Sequence, residues 1–128
     1  MAIITLGPAG TYSHRAAAAL GEEVVFSESV GAIVDAVDAG TEPQGVVPIE
    51  NSIEGSVTEA LDALARTEVA VTQEIVTPIR HALVGREPAP ATVASHPQAL
   101  SQCRRYLDAH HPDAVREAVA STAQGVVR

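Results

Sequence analysis

The sequence predicts an α/β fold built on a parallel sheet, and three observations carry that expectation. Short apolar runs of strand type alternate with helix patterns from the amino terminus onward. The first run, residues 2–6, breaks into Gly7-Pro8-Ala9-Gly10 and then into an Ala-rich helix pattern, the strand, glycine turn and helix of a βα unit. Residues 45–64, GVVPIENSIEGSVTEALDAL, pass from a β-branched run through polar Glu50-Asn51-Ser52 into another helix pattern. The carboxyl end of such a strand is where open α/β sheets bind ligands.

Taken in order, residues 2–6 form the first strand and residues 15–20 the first helix, with Thr11 and Ser13 at its start beside free N–H groups that attract anions. The spacing G-x-x-G-T has no Lys, so it is neither the P-loop nor the dinucleotide fingerprint. An ordinary capped turn and a carboxylate site fit it equally. Residues 24–26 read as a second strand. Ser29 or Ser27 then caps a helix whose apolar face is Val30, Ile33, Val34 and Val37, ended by Gly40. A turn at 41–43 delivers the central strand at 44–47. Gly55-Ser56 precede Val57, Ala60, Leu61 and Leu64, spaced as one helix face, and Ser56 with Glu59 reads as a capping box. The order β-α-β-α-β-α with short connections predicts a parallel, right-handed, doubly wound lobe.

Residues 69–84, VAVTQEIVTPIRHALV, alternate in part and are interrupted by Pro78, which predicts two strands rather than one. Residues 91–94 form a further strand delivering Ser95-His96-Pro97, with Pro97 suited to the first turn of a helix from Gln98 to about Ala109. That helix places Ala99, Cys103, Tyr106 and Leu107 on one side. Residues 114–120 are a strand or short helix, and Ser121-Thr122 cap a last helix.

Composition bounds the function. Hydrophobic residues make up 46% of the 128, enough for a core, and aromatics only 2%, so that core is built of Val, Ala, Leu and Ile. Sixteen acidic residues face eight basic ones, a net charge of −8, and every basic residue is Arg. This pattern points to adaptation to molar salt, where the Debye length falls to about 3 Å and surface carboxylates stop repelling one another. An acidic protein from a GC-rich genome, whose codon bias favours Arg over Lys, is the alternative. Either way, nucleic acid is not an expected partner, because phosphate binding depends on clustered cations. Cys103 is the only cysteine, which excludes an internal disulfide and a Cys-based zinc site. With no basic segment before a five-residue apolar run, the amino terminus reads as neither signal peptide nor membrane span, and the expected location is cytoplasmic.

Three separated motifs together resemble one family. GPAGTYSHRAA at 7–17, GVVPIENSIEGSV at 45–57 and SHPQALSQCRRYL at 95–107 are similar in order and spacing to the amino-proximal signatures of prephenate dehydratase. STAQG at 121–125 resembles a fourth, weaker one. The resemblance implies a fold of the type 2 periplasmic-binding-protein kind: two α/β lobes with the ligand in the cleft between them. On that reading residues 1–77 are the first lobe and 78–128 a second, incomplete lobe. It also implies the activity, a lyase converting prephenate to phenylpyruvate with loss of water and carbon dioxide in phenylalanine biosynthesis. No metal or organic cofactor is expected. Arogenate dehydratase and a non-catalytic small-anion binding module of the same fold are the alternatives.

Position by position, the resemblance makes Glu50, Asn51 and Ser52 cleft residues of the first lobe, and Ser95 and Gln102 of the second. Asn51 donates to the departing hydroxyl or holds a carboxylate. Glu50 is either a proton relay or the partner that fixes Asn51, the second being preferred. Gly55 and Ser56 let backbone N–H groups approach the ligand, and Thr11 and Ser13 are carboxylate contacts. His14 is read as surface or supporting. A nucleophile–base pair of Ser95 and His96 is disfavoured, because adjacent residues seldom face each other. Cys103 reads as a small core residue, and His110 and His111 as a solvated loop. Arg104 and Arg105 cover a rim or pair with surface acids.

The family's last motif contains a Thr-Arg-Phe triplet that this sequence lacks, and with it the leading candidate for the general acid. The expectation is therefore an amino-terminal fragment with little or no turnover alone. Unpaired sheet edges suggest a homo-oligomer. A regulatory domain of the ACT type is expected in the full-length parent.

Overall fold

The computed structural model describes residues 2–21, 23–51, 55–120 and 125. The chain divides into two compact units, Met1–Thr77 and Pro78–Arg128. Unit 1 is organised on β1 (Ala2–Leu6), flanked by β2 (Glu23–Ser27) and β3 (Gln44–Val46), all parallel in the order β2-β1-β3. Ile3, Ile4 and Thr5 are consecutive and all buried, so both faces of β1 are covered, as a central parallel strand requires. Thr5 is the one buried polar residue among those described, and its hydroxyl donates to Val46 O at 3.0 Å.

The first two helices of unit 1 begin where side chains can replace the missing backbone acceptors. Helix α1 (Tyr12–Leu20) is capped by Thr11, whose Oγ1 accepts from His14 N. It starts three residues before the expected Arg15, because the cap lies at Thr11. Helix α2 (Val30–Asp38) is capped by Ser29, which accepts from Ala32 N at 3.1 Å, while Ser27 is engaged with Ser29 itself. Gly40 ends it in the left-handed region at φ 76°. Its buried residues are Val30, Ile33 and Val34, three of the four on the predicted face, and Val37 is half-buried.

The central motif differs from the expectation in two respects. Glu50-Asn51 do not simply leave the sheet but form β4 (Glu50–Asn51), paired antiparallel with β5 (Gly55–Ser56). The cap position of the helix that follows falls on Val57 and not on Ser56, whose side chain lies outside what the structure describes. Ser56 is held in the ribbon opposite Glu50 and Val57 N donates to Ile49 O at 2.8 Å, so α3 (Thr58–Ala65) starts from Val57 without a side-chain cap. Glu59 turns instead to α2, its Oε1 accepting from Gly31 N at 3.0 Å. The buried face of α3 is accordingly Ala60 and Ala63, and Leu61 is exposed. Arg66 Nη1 donates to Asp35 Oδ1 at 2.6 Å, a contact that raises the guanidinium pKa, and Glu68 N donates to Asp38. Three polar contacts thus tie α2 to α3 and to the residues that follow it.

The two strands expected within 69–84 are absent: no ladder forms there among the described residues, and Val71, Val76 and Val84 are largely exposed. Alternation makes a strand only where a neighbour accepts its hydrogen bonds, and no strand among the described residues pairs with this segment.

Unit 2 is a βαβ arrangement. Strand β6 (Thr92–Ser95) pairs in parallel with β7 (Val115–Ala118), in register Thr92↔Val115 to Ser95↔Ala118. The single expected helix is two, α4 (Pro97–Gln102) and α5 (Arg104–His110), broken at Cys103, whose φ of −95° and ψ of 3° leave the helical range. The break rotates Tyr106 out of the core; its ring is half exposed and stacks on His110 at 4.3 Å. Val93, Ala99 and Leu107 are the buried residues. The helix expected after Ser121-Thr122 lies outside the described residues apart from Gly125.

Candidate functional site

A parallel sheet ordered β2-β1-β3 has its switch point between β1 and β3, where successive connections leave in opposite directions. Because Thr5 pairs with Val46, the carboxyl ends of these strands lie side by side. The chain leaving β1 is the turn 7–11, and the chain leaving β3 leads through Pro48 and Ile49 into the β4–β5 ribbon. Two sequence motifs therefore meet the same edge of unit 1.

At the first turn, Thr11 Oγ1 accepts from His14 N at 3.0 Å and donates to Leu6 O at 3.3 Å. Its one hydroxyl proton is thus engaged, and what Thr11 gives the edge is a fixed first turn of α1. Ser13 stands in that first turn, half-buried. His14, read from sequence as surface or supporting, locks the turn in place. Its Nδ1 accepts from Gly10 N at 3.0 Å, and its ring meets Phe26 edge-on at 5.0 Å. Gly10 has φ 94°, a conformation that glycine adopts without steric cost. The spacing of four between Gly10 and His14 was the available signal for this lock.

At the second turn, Glu50 is exposed and Asn51 half-buried at the start of the ribbon. Asn51 lies opposite Gly55 and Glu50 opposite Ser56. Ser52 lies outside the described residues, as does the side chain of Ser56.

In unit 2 the corresponding position is the carboxyl end of β6. Ser95 is half-buried there, its carbonyl accepting from Val119 N at 2.9 Å. His96 caps α4, with Nδ1 accepting from Gln98 N at 3.0 Å, so this nitrogen is turned to its own helix and not to the neighbouring serine. Gln102 ends α4, and its Oε1 lies 2.7 Å from His81 Nε2. Burial pushes the Cys103 thiol pKa up, which disfavours the thiolate and a nucleophilic role. Arg116 pairs with Asp108 between β7 and α5.

Gly125 packs against this strand end: a Cβ there would lie 2.5 Å from Ala94 O and 3.3 Å from the Ser95 Cα. Gly125→Ala is expected to displace β6 at Ser95, at a cost of about 1–3 kcal/mol. Urea unfolding together with the Ser95 amide shift measures it; wild-type values for both would show that the contact is slack.

Among the described residues, no group of three or more His, Cys, Asp or Glu is placed to hold a metal ion, and no helix is long and apolar enough to cross a membrane.

The prephenate dehydratase family model matches residues 3–128. The bifunctional chorismate mutase/prephenate dehydratase of Stutzerimonas stutzeri is 38% identical over 96% of this chain and 36% of its own length. The prephenate dehydratase of Amycolatopsis methanolica is 38% identical over 98% of the chain and 43% of its own length. In structure, the chain is similar to the Arthrobacter aurescens prephenate dehydratase solved in complex with L-Phe, with TM-score 0.86 and 31% identity over 99% of this chain and 45% of that one. It is also similar to the Staphylococcus aureus enzyme, with TM-score 0.78 and 33% identity over 99% and 50% respectively. The chain therefore spans half or less of the length of these relatives.

Proposed function

The chain belongs to the prephenate dehydratase family, and we propose that it forms the part of the catalytic domain that receives prephenate. The polypeptide as a whole would carry out the loss of water and carbon dioxide that gives phenylpyruvate. The observation that supports this reading best is the placement of two motif turns, 7–11 and 47–51, on one switch-point edge of unit 1. Ser95 stands at the equivalent strand end of unit 2.

In this proposal the two units supply the two walls of one cleft. The reaction expels the ring hydroxyl as water while the ring carboxylate leaves, so the site must donate a proton or hydrogen bond at the hydroxyl and hold both departing groups in line. Asn51 donates to the hydroxyl or to a carboxylate, and exposed Glu50 beside it serves to orient it. Backbone N–H groups around Ser52, Gly55 and Ser56, together with the starts of α1 and α3, provide positive potential that an acidic chain otherwise lacks. Thr11 and Ser13 act through the first turn of α1. Ser95 and Gln102 face the ligand from unit 2. The self-association expected from unpaired edges, a further regulatory domain and a cytoplasmic location belong to the same proposal.

Binding tests it. Titration of the chain with prephenate is expected to shift backbone amides in 7–14, 45–57 and 95–102, and Asn51→Ala to weaken binding about 10-fold or more, the value of a hydrogen bond to a charged group. Equal affinity of Asn51→Ala and wild type, or shifts confined to other segments, would remove the site from this edge.

A further inference from the structure

We propose that His81 is a positioning residue that fixes the side-chain amide of Gln102 with its NH2 group presented to the ligand. The inference rests on the reading that Gln102 faces prephenate. Its basis is the 2.7 Å contact between His81 Nε2 and Gln102 Oε1, which joins the segment before β6 to the end of α4 across 21 residues of sequence. An amide oxygen carries no hydrogen and can only accept. With Oε1 turned to the ring, the proposed arrangement has the proton on His81 Nε2, the tautomer that the experiment below reads.

The consequence falls on the other end of the amide. The last torsion of a glutamine is broad and nearly two-fold, so an unpartnered Gln presents oxygen or nitrogen almost indifferently. With His81 donating, a flip of Gln102 would set NH2 against N–H, donor against donor. The arrangement with the oxygen toward His81 is thus selected, and the two N–H donors point away from it. For an anionic or hydroxyl-bearing ligand, a directed donor is useful where an oxygen would repel. Gln102 is half-buried while His81 and the contact itself are exposed, so the preference comes from the pairing of donor with acceptor and not from burial. The polar contact also draws in an otherwise irregular segment, since His81 belongs to no helix or strand.

The experiment is nuclear magnetic resonance on the intact labelled chain, first free and then with prephenate. In the free chain, the His81 ring is expected to be protonated on Nε2. His81→Ala is expected to shift the Gln102 side-chain amide and speed its exchange while leaving thermal unfolding unchanged. His81→Gln, which places an N–H at the same reach, restores the wild-type signals. His81→Glu offers only an acceptor when ionised and reverses the amide. With prephenate, His81→Ala binds about 3- to 10-fold more weakly, His81→Glu about 10-fold or more, and His81→Gln close to wild type. Gln102 amide signals that ignore His81→Ala, or Ala and Gln variants that bind alike, would overturn the assignment. Failure of the wild-type chain to bind prephenate would overturn the functional reading and the ligand-facing part of this proposal. The free-chain spectra would still decide whether His81 orients Gln102.

Discussion

Gly45→Ala is expected to destabilise unit 1 by about 1–3 kcal/mol, and Gly45→Val by more, through overpacking of the outer strand β3 against Ile4 of the central strand and Ile33 of α2. Gly45 lies in β3 directly opposite Ile4 of β1. A Cβ added there would stand 2.8 Å from Ile33 Cγ2, 3.2 Å from Ile4 Cγ2 and 3.3 Å from Ile4 O. None of these neighbours can move cheaply. Ile33 and Ile4 are both buried, 1% and 7% exposed, and the third atom is backbone of the central strand. Helix α2 can therefore sit close to the β1–β3 pair only while residue 45 has no side chain.

A double-mutant cycle separates this contact from a general dislike of alanine at that position. Ile33→Ala alone removes a buried side chain and is expected to cost about 2–5 kcal/mol. It also removes Cγ2, so in Ile33→Ala/Gly45→Ala the two costs should sum to less than their separate values by about 1 kcal/mol. Ile33→Val keeps Cγ2 and should give no such relief. Urea unfolding of the four chains measures the coupling, and strict additivity with Ile33→Ala would sink the explanation.

Gly45 also shows which parts of the molecule could be read in advance. The Ser29 cap, the Gly40 stop and the buried stripe of α2 were legible, because each depends on residues within a few positions of one another, and the parallel sheet followed from the alternation of strand and helix patterns with short connections. The need for glycine at 45 depends on Ile4 and Ile33, which come together only in three dimensions. The same holds for Glu59, whose apparent partner was Ser56 but whose actual partner is Gly31 N, in the first turn of α2. A local rule lost there to a tertiary contact, since the β4–β5 pairing carries the chain past the position where a cap was needed. Residues 69–84 show the converse. Their alternation is real in sequence, but a strand is a relation between two segments, and no described segment supplies the second. In the site, the motif positions could be named from sequence, whereas the parts played by His14 and His81 could not. Their partners, Gly10 N and Gln102 Oε1, become evident only as distances.

The chain by itself is expected to bind prephenate and not turn it over. Its 128 residues contain Glu50, Asn51, Ser95 and Gln102 but no Thr-Arg-Phe triplet, where the resemblance puts the general acid. A positioned proton donor contributes about 10²–10⁴-fold to such a reaction, so phenylpyruvate formation should fall short of that of a full-length relative by at least this factor. The comparison is best made against the Amycolatopsis methanolica enzyme, with this chain assayed in molar KCl so that its 16 carboxylates are screened. Turnover within tenfold of the relative would show that the residues present, Glu50 foremost, suffice as the acid. Binding without turnover has a more specific meaning. Contacts that hold the ground state lower the energy of substrate and transition state alike, and only those that strengthen as the hydroxyl leaves accelerate the reaction. Such an outcome would assign the two motif-bearing edges to the holding of the carboxylates. Glu50 would then serve to orient Asn51 and not to deliver the proton.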